Sequence, residues 1–190
     1  MKKTLILILL LLAASTANAR IFNGRRKGFV LGGGLGFAPV IKWTETAYES
    51  FGRGFEASDK EAGMGVNLAI GYAWSKNNMI VYEINAAGYK TKIEYYNSDS
   101  TAWQGMDGFL WYHYFGTPGR SLYTITGLGF YQLKVNGHQP DVVGQALLLG
   151  GGFELARHCQ IGVYWASQLK ARGPDPDKSH LNVLFTVFAY

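Results

Sequence analysis

Between Met64 and Trp74 the chain alternates without a break. Met64, Val66, Leu68, Ile70, Tyr72 and Trp74 occupy one set of positions, and Gly65, Asn67, Ala69, Gly71 and Ala73 the other. Successive residues of a strand point to opposite faces, so this segment predicts a strand with one face toward an apolar medium and the other toward a confined interior. Ile80, Tyr82 and Ile84 repeat the outward set with Glu83 and Asn85 inward, and Ile161, Val163 and Trp165 repeat it again. Eight such segments are predicted, at approximately 27–40, 63–74, 79–89, 106–116, 121–133, 144–155, 160–169 and 180–190. Each has roughly the 9–11 residues that a tilted strand needs to cross a bilayer. Long polar connections at 41–62, 90–105, 134–143 and 170–179 alternate with short ones at 75–78, 117–120 and 156–158, the pattern of an up-and-down barrel with turns at one end and loops at the other.

The last segment has two apolar faces. Leu181, Val183, Phe185 and Val187 form the more hydrophobic one, whereas Leu184, Thr186, Phe188 and Tyr190 form the one that closes on an aromatic. The expectation adopted is that Phe188 and Tyr190 face lipid, because the interior of so narrow a barrel accepts apolar side chains. At the other end, Lys2 and Lys3, the apolar run Leu5 to Ala14 and the small residues Ala17-Asn18-Ala19 predict a cleaved secretory signal peptide over 1–19 and a mature barrel domain over 20–190. No later stretch approaches the ~18 consecutive apolar residues of a membrane-spanning helix.

Composition narrows the class. Gly 25, Tyr 12, Phe 11 and Trp 5 stand beside only 16% charged residues, and Cys159 is the sole cysteine, so no intrachain disulfide can form. Without Lys2 and Lys3, 16 basic residues face 13 acidic ones. A net charge of +3, evenly interleaved, argues against nucleic-acid binding.

The signal segment, the alternating connection lengths, the eight strand candidates and the terminal Phe188-Ala189-Tyr190 together resemble the small eight-stranded outer-membrane barrels of the OmpA and OmpX kind, over the whole mature chain. The resemblance implies an all-β, eight-stranded antiparallel up-and-down transmembrane β-barrel in the bacterial outer membrane, monomeric and surrounded by outer-membrane lipid and lipopolysaccharide. It also implies that Leu184, Phe188 and Tyr190 belong to an assembly signal read by the barrel-assembly machinery, with Asn182 and Thr186 as weaker matches.

Candidate chemistry is sparse. Gly32-Gly33-Gly34-Leu35-Gly36 lacks the following helix of a phosphate cradle, and its period-two glycines, like Gly127 and Gly129 or Gly150 and Gly152, more simply make room for large side chains inside a narrow barrel. Ser167, His180 and Asp175 or Asp177 form the one conceivable hydrolytic triad, but the His-x-Ser arrangement of the lipid A deacylase family is missing because Trp165 stands at the His position. His113, His138, His158 and His180 have no paired-ligand spacing, and no metal or cofactor is expected. The acids Glu45, Glu49, Glu56, Asp59 and Glu61 of the first loop read as a solvated face rather than a cation site.

Three features point to function. Glu83, His113 and Glu154 are expected inside the lumen as a polar layer, with Lys27, Arg26 or Arg157 supplying the positive charge that confined carboxylates require. Trp43, Tyr48, Phe51, Phe55, Tyr95, Tyr96 and Trp103 make the first two loops aromatic, which suits recognition of an external surface partner. Lys76, Arg120 and Arg157 in the short turns, with Arg20, Arg25, Arg26 and Lys27 at the N-terminus, form a basic rim suited to anionic phospholipid headgroups, or simply polar turns. The leading expectation is a non-enzymatic barrel with a filled lumen acting in adhesion or envelope integrity. A lipid A or phospholipid modifying enzyme and a narrow conduit for small solutes are the alternatives. A soluble lipocalin-like carrier is disfavoured by the apolar outward faces.

Overall fold

The computed structural model describes the backbone of residues 25–48, 54–93, 98–135, 141–169 and 178–190, and side chains within 25–42, 61–90, 101–134, 144–169 and 178–190. Eight antiparallel strands each pair with the next, and the last closes on the first: β1 (Gly28–Tyr48), β2 (Gly54–Ser75), β3 (Asn78–Ile93), β4 (Ser98–Tyr114), β5 (Ser121–Val135), β6 (Asp141–Ala156), β7 (Cys159–Gln168) and β8 (Ser179–Ala189). Closure leaves no sheet edge in the barrel wall, the condition for a strand protein to span lipid.

Short turns gather at one end. Ser75 Oγ accepts the backbone N–H of Asn77 and Asn78 at 3.2 and 3.1 Å, which folds the β2–β3 turn. In Thr117-Pro118-Gly119-Arg120 proline fixes the second residue and Gly119 adopts φ 96°, a left-handed conformation suited to glycine, with Arg120 N–H returning to Thr117 O at 3.2 Å.

The strands outrun the sequence reading at the loop end. Residues assigned to the first loop continue β1 and β2, paired from Ile41–Glu61 up to Tyr48–Gly54. Most of 90–105 and 134–135 likewise prolongs β3, β4 and β5. In these stretches the sequence does not alternate between apolar and polar, while backbone pairing persists. Pro39 does not end β1 either. It sits in a bulge that shifts the register by one residue against both neighbours, from Ala38–Gly63 to Ile41–Glu61 and from Phe37–Val183 to Val40–Leu181.

Outside, an apolar belt runs round the barrel. Leu35, Phe37, Leu68, Ile70, Phe109, Leu128, Val163 and Phe185 are exposed, with Tyr72, Trp74, Trp111 and Phe115 toward the turn end. The indole of Trp103 lies outside as well, over the bare backbone of its cross-strand partner Gly88. Inside, Tyr112, Tyr114, Tyr123, Tyr131, Tyr164, Leu110, Met79, Met106, Leu148 and Leu184 fill the lumen. The period-two glycines face this interior: a Cβ on Gly32 would strike the Phe188 ring, one on Gly127 the Leu110 side chain, and one on Gly152 the Tyr123 hydroxyl.

The last strand corrects the expectation for its faces. Phe188 and Tyr190 are each 1% exposed and point inward, whereas Phe185 and Val187 are 47% and 46% exposed and face out. Phe188 meets Tyr112 edge-on at 5.6 Å in the notch left by Gly32, and Tyr190 donates its hydroxyl proton to Glu154. The more hydrophobic row therefore takes the lipid, and the row with hydroxyls takes the side that holds acceptors.

Candidate functional site: the lumen polar network

β3 places Glu83 and Asn85 on its inner face, and β2 places Asn67 opposite them. Glu83 is buried, and three donors converge on it. Asn67 Nδ2 and Asn85 Nδ2 donate to Oε1 at 3.0 and 3.1 Å, and the Tyr112 hydroxyl donates to Oε2 at 2.5 Å. The two asparagines are themselves held. Thr186 Oγ1 donates to Asn67 Oδ1 at 3.4 Å, and Asn85 Oδ1 accepts from Asn182 Nδ2 at 2.8 Å and from His180 Nε2–H at 3.1 Å. Because Asn85 uses its amide protons on Glu83, its oxygen faces His180, which assigns the proton to Nε2 and leaves Nδ1 to accept the Tyr131 hydroxyl at 2.8 Å. The chain Tyr131–His180–Asn85–Glu83 thus runs with every proton pointing toward one carboxyl group.

A second layer sits at the turn end. Glu154, buried on β6, lies 3.5 Å from Arg26 Nη2, accepts the backbone N–H of Gly119 at 2.6 Å, and accepts the Tyr190 hydroxyl. The Arg26 guanidinium lies over the Tyr114 ring, 3.9 Å from its centroid, and donates to Gly116 O at 2.9 Å. Tyr114 continues to Gln160 Oε1 at 3.0 Å. At the loop end Gln104 Nε2 donates to Ser179 O and Lys42 O at 2.9 and 3.3 Å.

Several predicted site residues fall elsewhere. His113 is a correction: it faces outward, with Nδ1 2.9 Å from Asn78 Oδ1 and its ring against Trp111 and Phe115. Its cross-strand partner Asn78 shares a face with Ile80 and Tyr82, so similar depth did not mean the same side. Lys27 and Arg157 are exposed at the turn end and supply nothing to the lumen, a second correction; Arg26, buried one residue before Lys27, holds the cationic position. Glu83 has no cation partner among the described residues: neutral amides and a phenol surround it.

Ser167 and His180 do not converge. Ser167 Oγ donates to Gln168 O at 3.3 Å on the outer side, while His180 is buried in the lumen network; Asp175 and Asp177 lie outside the described residues. Of the aromatic recognition candidates, the backbones of Trp43, Tyr48 and Phe55 lie in the extended β1–β2 hairpin, and Trp103 covers Gly88; Phe51, Tyr95 and Tyr96 lie outside the described residues. Sequence reasoning missed Tyr112, Tyr131 and Tyr190 as network members, although their inward period with Leu110 and Tyr114, Gly129 and Phe188 was present to be read.

A closed eight-stranded antiparallel wall with an apolar outer belt and a packed lumen is the fold of the small outer-membrane β-barrels, and the belt is where the wall meets lipid. Among solved structures, this fold is shared with Ail, the attachment invasion locus protein of Yersinia pestis, in complex with the heparin analogue sucrose octasulfate (12% identity, 86% of this chain and 99% of that one, TM-score 0.52). It is shared also with Neisserial surface protein A (15% identity, 84% of this chain and 96% of that one, TM-score 0.52). No protein-family model matches the chain, and no curated protein matches it by sequence.

Proposed function

We propose that the protein is a non-enzymatic outer-membrane barrel whose plugged lumen anchors a raised extracellular wall that engages an external protein partner. The observation that carries this reading is the unequal height of the wall. β1 and β2 have 21 and 22 residues and β3 and β4 have 16 and 17, whereas β7 and β8 have 10 and 11. A crossing uses roughly 9–11 residues, so β7 and β8 end at the membrane while β1 to β4 stand above it. Above the Lys42–Ser179 pair, β1 has no β8 partner among the described residues, and the backbone of Trp43–Tyr48 borders the lower side. A hairpin raised in this way offers contact surface to an external partner, and the aromatics of its sequence offer anchoring area.

On this reading the barrel acts as a monomer, with lipopolysaccharide around its upper belt. The filled interior favours an anchor over a conduit, and the separation of Ser167 from His180 favours it over a lipid-modifying enzyme. Ail was captured with a sulfated sugar. The five acids between Glu45 and Glu61 favour a protein partner over a polyanion here. The test is adherence of barrel-expressing cells to cultured epithelial cells, with and without heparin as competitor. Shortening the hairpin by removal of 45–57 is expected to lower adherence about tenfold, the loss of ~1.4 kcal/mol of binding, with the barrel still folded. Adherence no greater than that of barrel-free cells, or full adherence by the shortened variant, refutes the proposal.

A further inference from the structure

On the outer wall of β5, β6 and β7, toward the turn end, the belt is interrupted by an open groove of about 560 Å³. Its floor is the outward-facing Gly151, which pairs with Thr124 on one side and Val163 on the other, and its sides are Phe115, Leu122, Phe153 and Val163. A residue without a side chain between two strands that carry them leaves a channel along the belt, and apart from Thr124 and the inward-facing Tyr123 the side chains that line it are apolar.

Two cations stand at the foot of this groove. Arg120 ends the turn that leads into Leu122, and Arg157 lies in the β6–β7 turn below Phe153. The two turns touch: a Cβ placed on Gly119 would lie 3.4 Å from both the Arg157 Cγ and the Arg157 backbone nitrogen. Both guanidinium-bearing residues are exposed, and Glu154, the carboxylate that reaches the same turn among the described residues, is buried and already engaged by Arg26, Tyr190 and Gly119. Arg25, Lys27 and Lys76 are exposed at the same end, and no acid is exposed among the described turn residues there.

We infer that this groove and its two arginines form a binding site for one anionic glycerophospholipid of the inner leaflet, its phosphodiester held by Arg120 and Arg157 and one acyl chain lying over Gly151. The depth order matches the molecule, with charge below the belt and an apolar channel rising from it. Guanidinium pairs bind phosphate oxygens in a fork that an ammonium does not reproduce. The site is independent of the extracellular reading, since it lies at the opposite end of the barrel.

The experiment uses the full mature barrel refolded into bilayers of equimolar phosphatidylglycerol and phosphatidylcholine and released into a mild detergent for native mass spectrometry. Wild type is expected to retain one lipid, with phosphatidylglycerol preferred about thirtyfold, as about 1 kcal/mol for each of the two arginines implies. The R120Q/R157Q variant is expected to lose the preference. Thr124→Phe, which fills the channel from its side and leaves Gly151 untouched, is expected to abolish retention of either lipid. Lys76→Gln, in the separate β2–β3 turn, is expected to change nothing. Heat-modifiable gel mobility confirms that each variant is folded. An equal lipid ratio in wild type, or a preference that survives R120Q/R157Q, overturns the site. Equal loss of preference in Lys76→Gln overturns it in favour of a diffuse basic rim.

Discussion

Replacing Glu83 with alanine tests the plug most directly. The substitution strips the acceptor from Asn67 Nδ2, Asn85 Nδ2 and the Tyr112 hydroxyl, all of them buried. A buried donor left without a partner costs about 1–3 kcal/mol. Asn67 and Asn85 keep partners on their oxygens, and Tyr112 sits among tyrosines whose hydroxyls can turn toward it, so the low end of that range applies to each of the three. The expected loss is about 3–4 kcal/mol, to which the vacated volume adds roughly 1 kcal/mol. Glu83→Gln separates charge from hydrogen bonding. Its oxygen still accepts from the two asparagines, but its amide now faces the Tyr112 proton, and that hydroxyl must reverse, for about 1–2 kcal/mol.

The assay is urea unfolding of the refolded barrel in short-chain phosphatidylcholine vesicles, followed by tryptophan fluorescence and checked by gel mobility. The order wild type, then Gln, then Ala, with neither variant conducting in planar bilayers, is the expected result. An alanine variant within about 0.5 kcal/mol of wild type, the scatter of an inconsequential surface change, refutes the claim that this carboxyl group organises the lumen.

Other expectations follow from the same geometry. Arg26→Gln breaks the Glu154 ion pair and the stack on Tyr114, and is expected to cost about 2–4 kcal/mol by the same unfolding measurement, since it leaves a buried carboxylate without its cation. Phe188→Ala, which empties the notch over Gly32, is expected to cost about 3–4 kcal/mol, whereas Phe185→Ala on the lipid side costs less than half of that; equal losses would return the lipid face to the Phe188 row. Wild type is expected to pass no steady ion current in planar bilayers, and a sustained current would sink the plug. Ser167→Ala and His180→Ala are both expected to leave lipid A and phospholipid mass spectra unchanged, with His180→Ala alone losing stability, by about 2 kcal/mol through Tyr131 and Asn85.

What the sequence disclosed tracks where the environment on the two sides of a strand differs. In β2 one side meets lipid and the other a crowded lumen, so Met64 to Trp74 could be oriented from hydropathy alone, and Glu83 and Asn85 followed on β3. Above the membrane that contrast is lost, and with it the signal for the upper parts of β1, β2 and β4 and the last residues of β3 and β5. In β8 the inward row mixes Leu184, Phe188 and Tyr190 with His180, Asn182 and Thr186, so its aromatic end masked a real difference in hydropathy, and the inward aromatics are held by Tyr112 and Glu154 across the barrel, contacts set by closure rather than by any neighbour in sequence. Arg26 and Lys27 precede β1, where no strand period applies; the choice between them rests on Tyr114, Gly116 and Glu154, 88 to 128 positions away.

The two ends of the plug are built differently, and the difference bears on how an unequal wall can carry load. At the turn end an ion pair, a stacked guanidinium and two tight turns lock β6 to the base of the barrel. At the loop end the ties are neutral and cross the lumen. Asn182 reaches Asn85 Oδ1 and Ala86 O, His180 reaches Asn85 and Tyr131, and Gln104 reaches the Ser179 and Lys42 carbonyls. These bonds join the short β8 to β3, β4 and β5 at the height where β8 ends and the others continue. On the proposed reading, a pull on the longer strands would be shared with β8 through these bonds. Neutral amides suit that position because they remain bonded whatever the salt and pH outside, whereas an ion pair near the aqueous rim would weaken with screening.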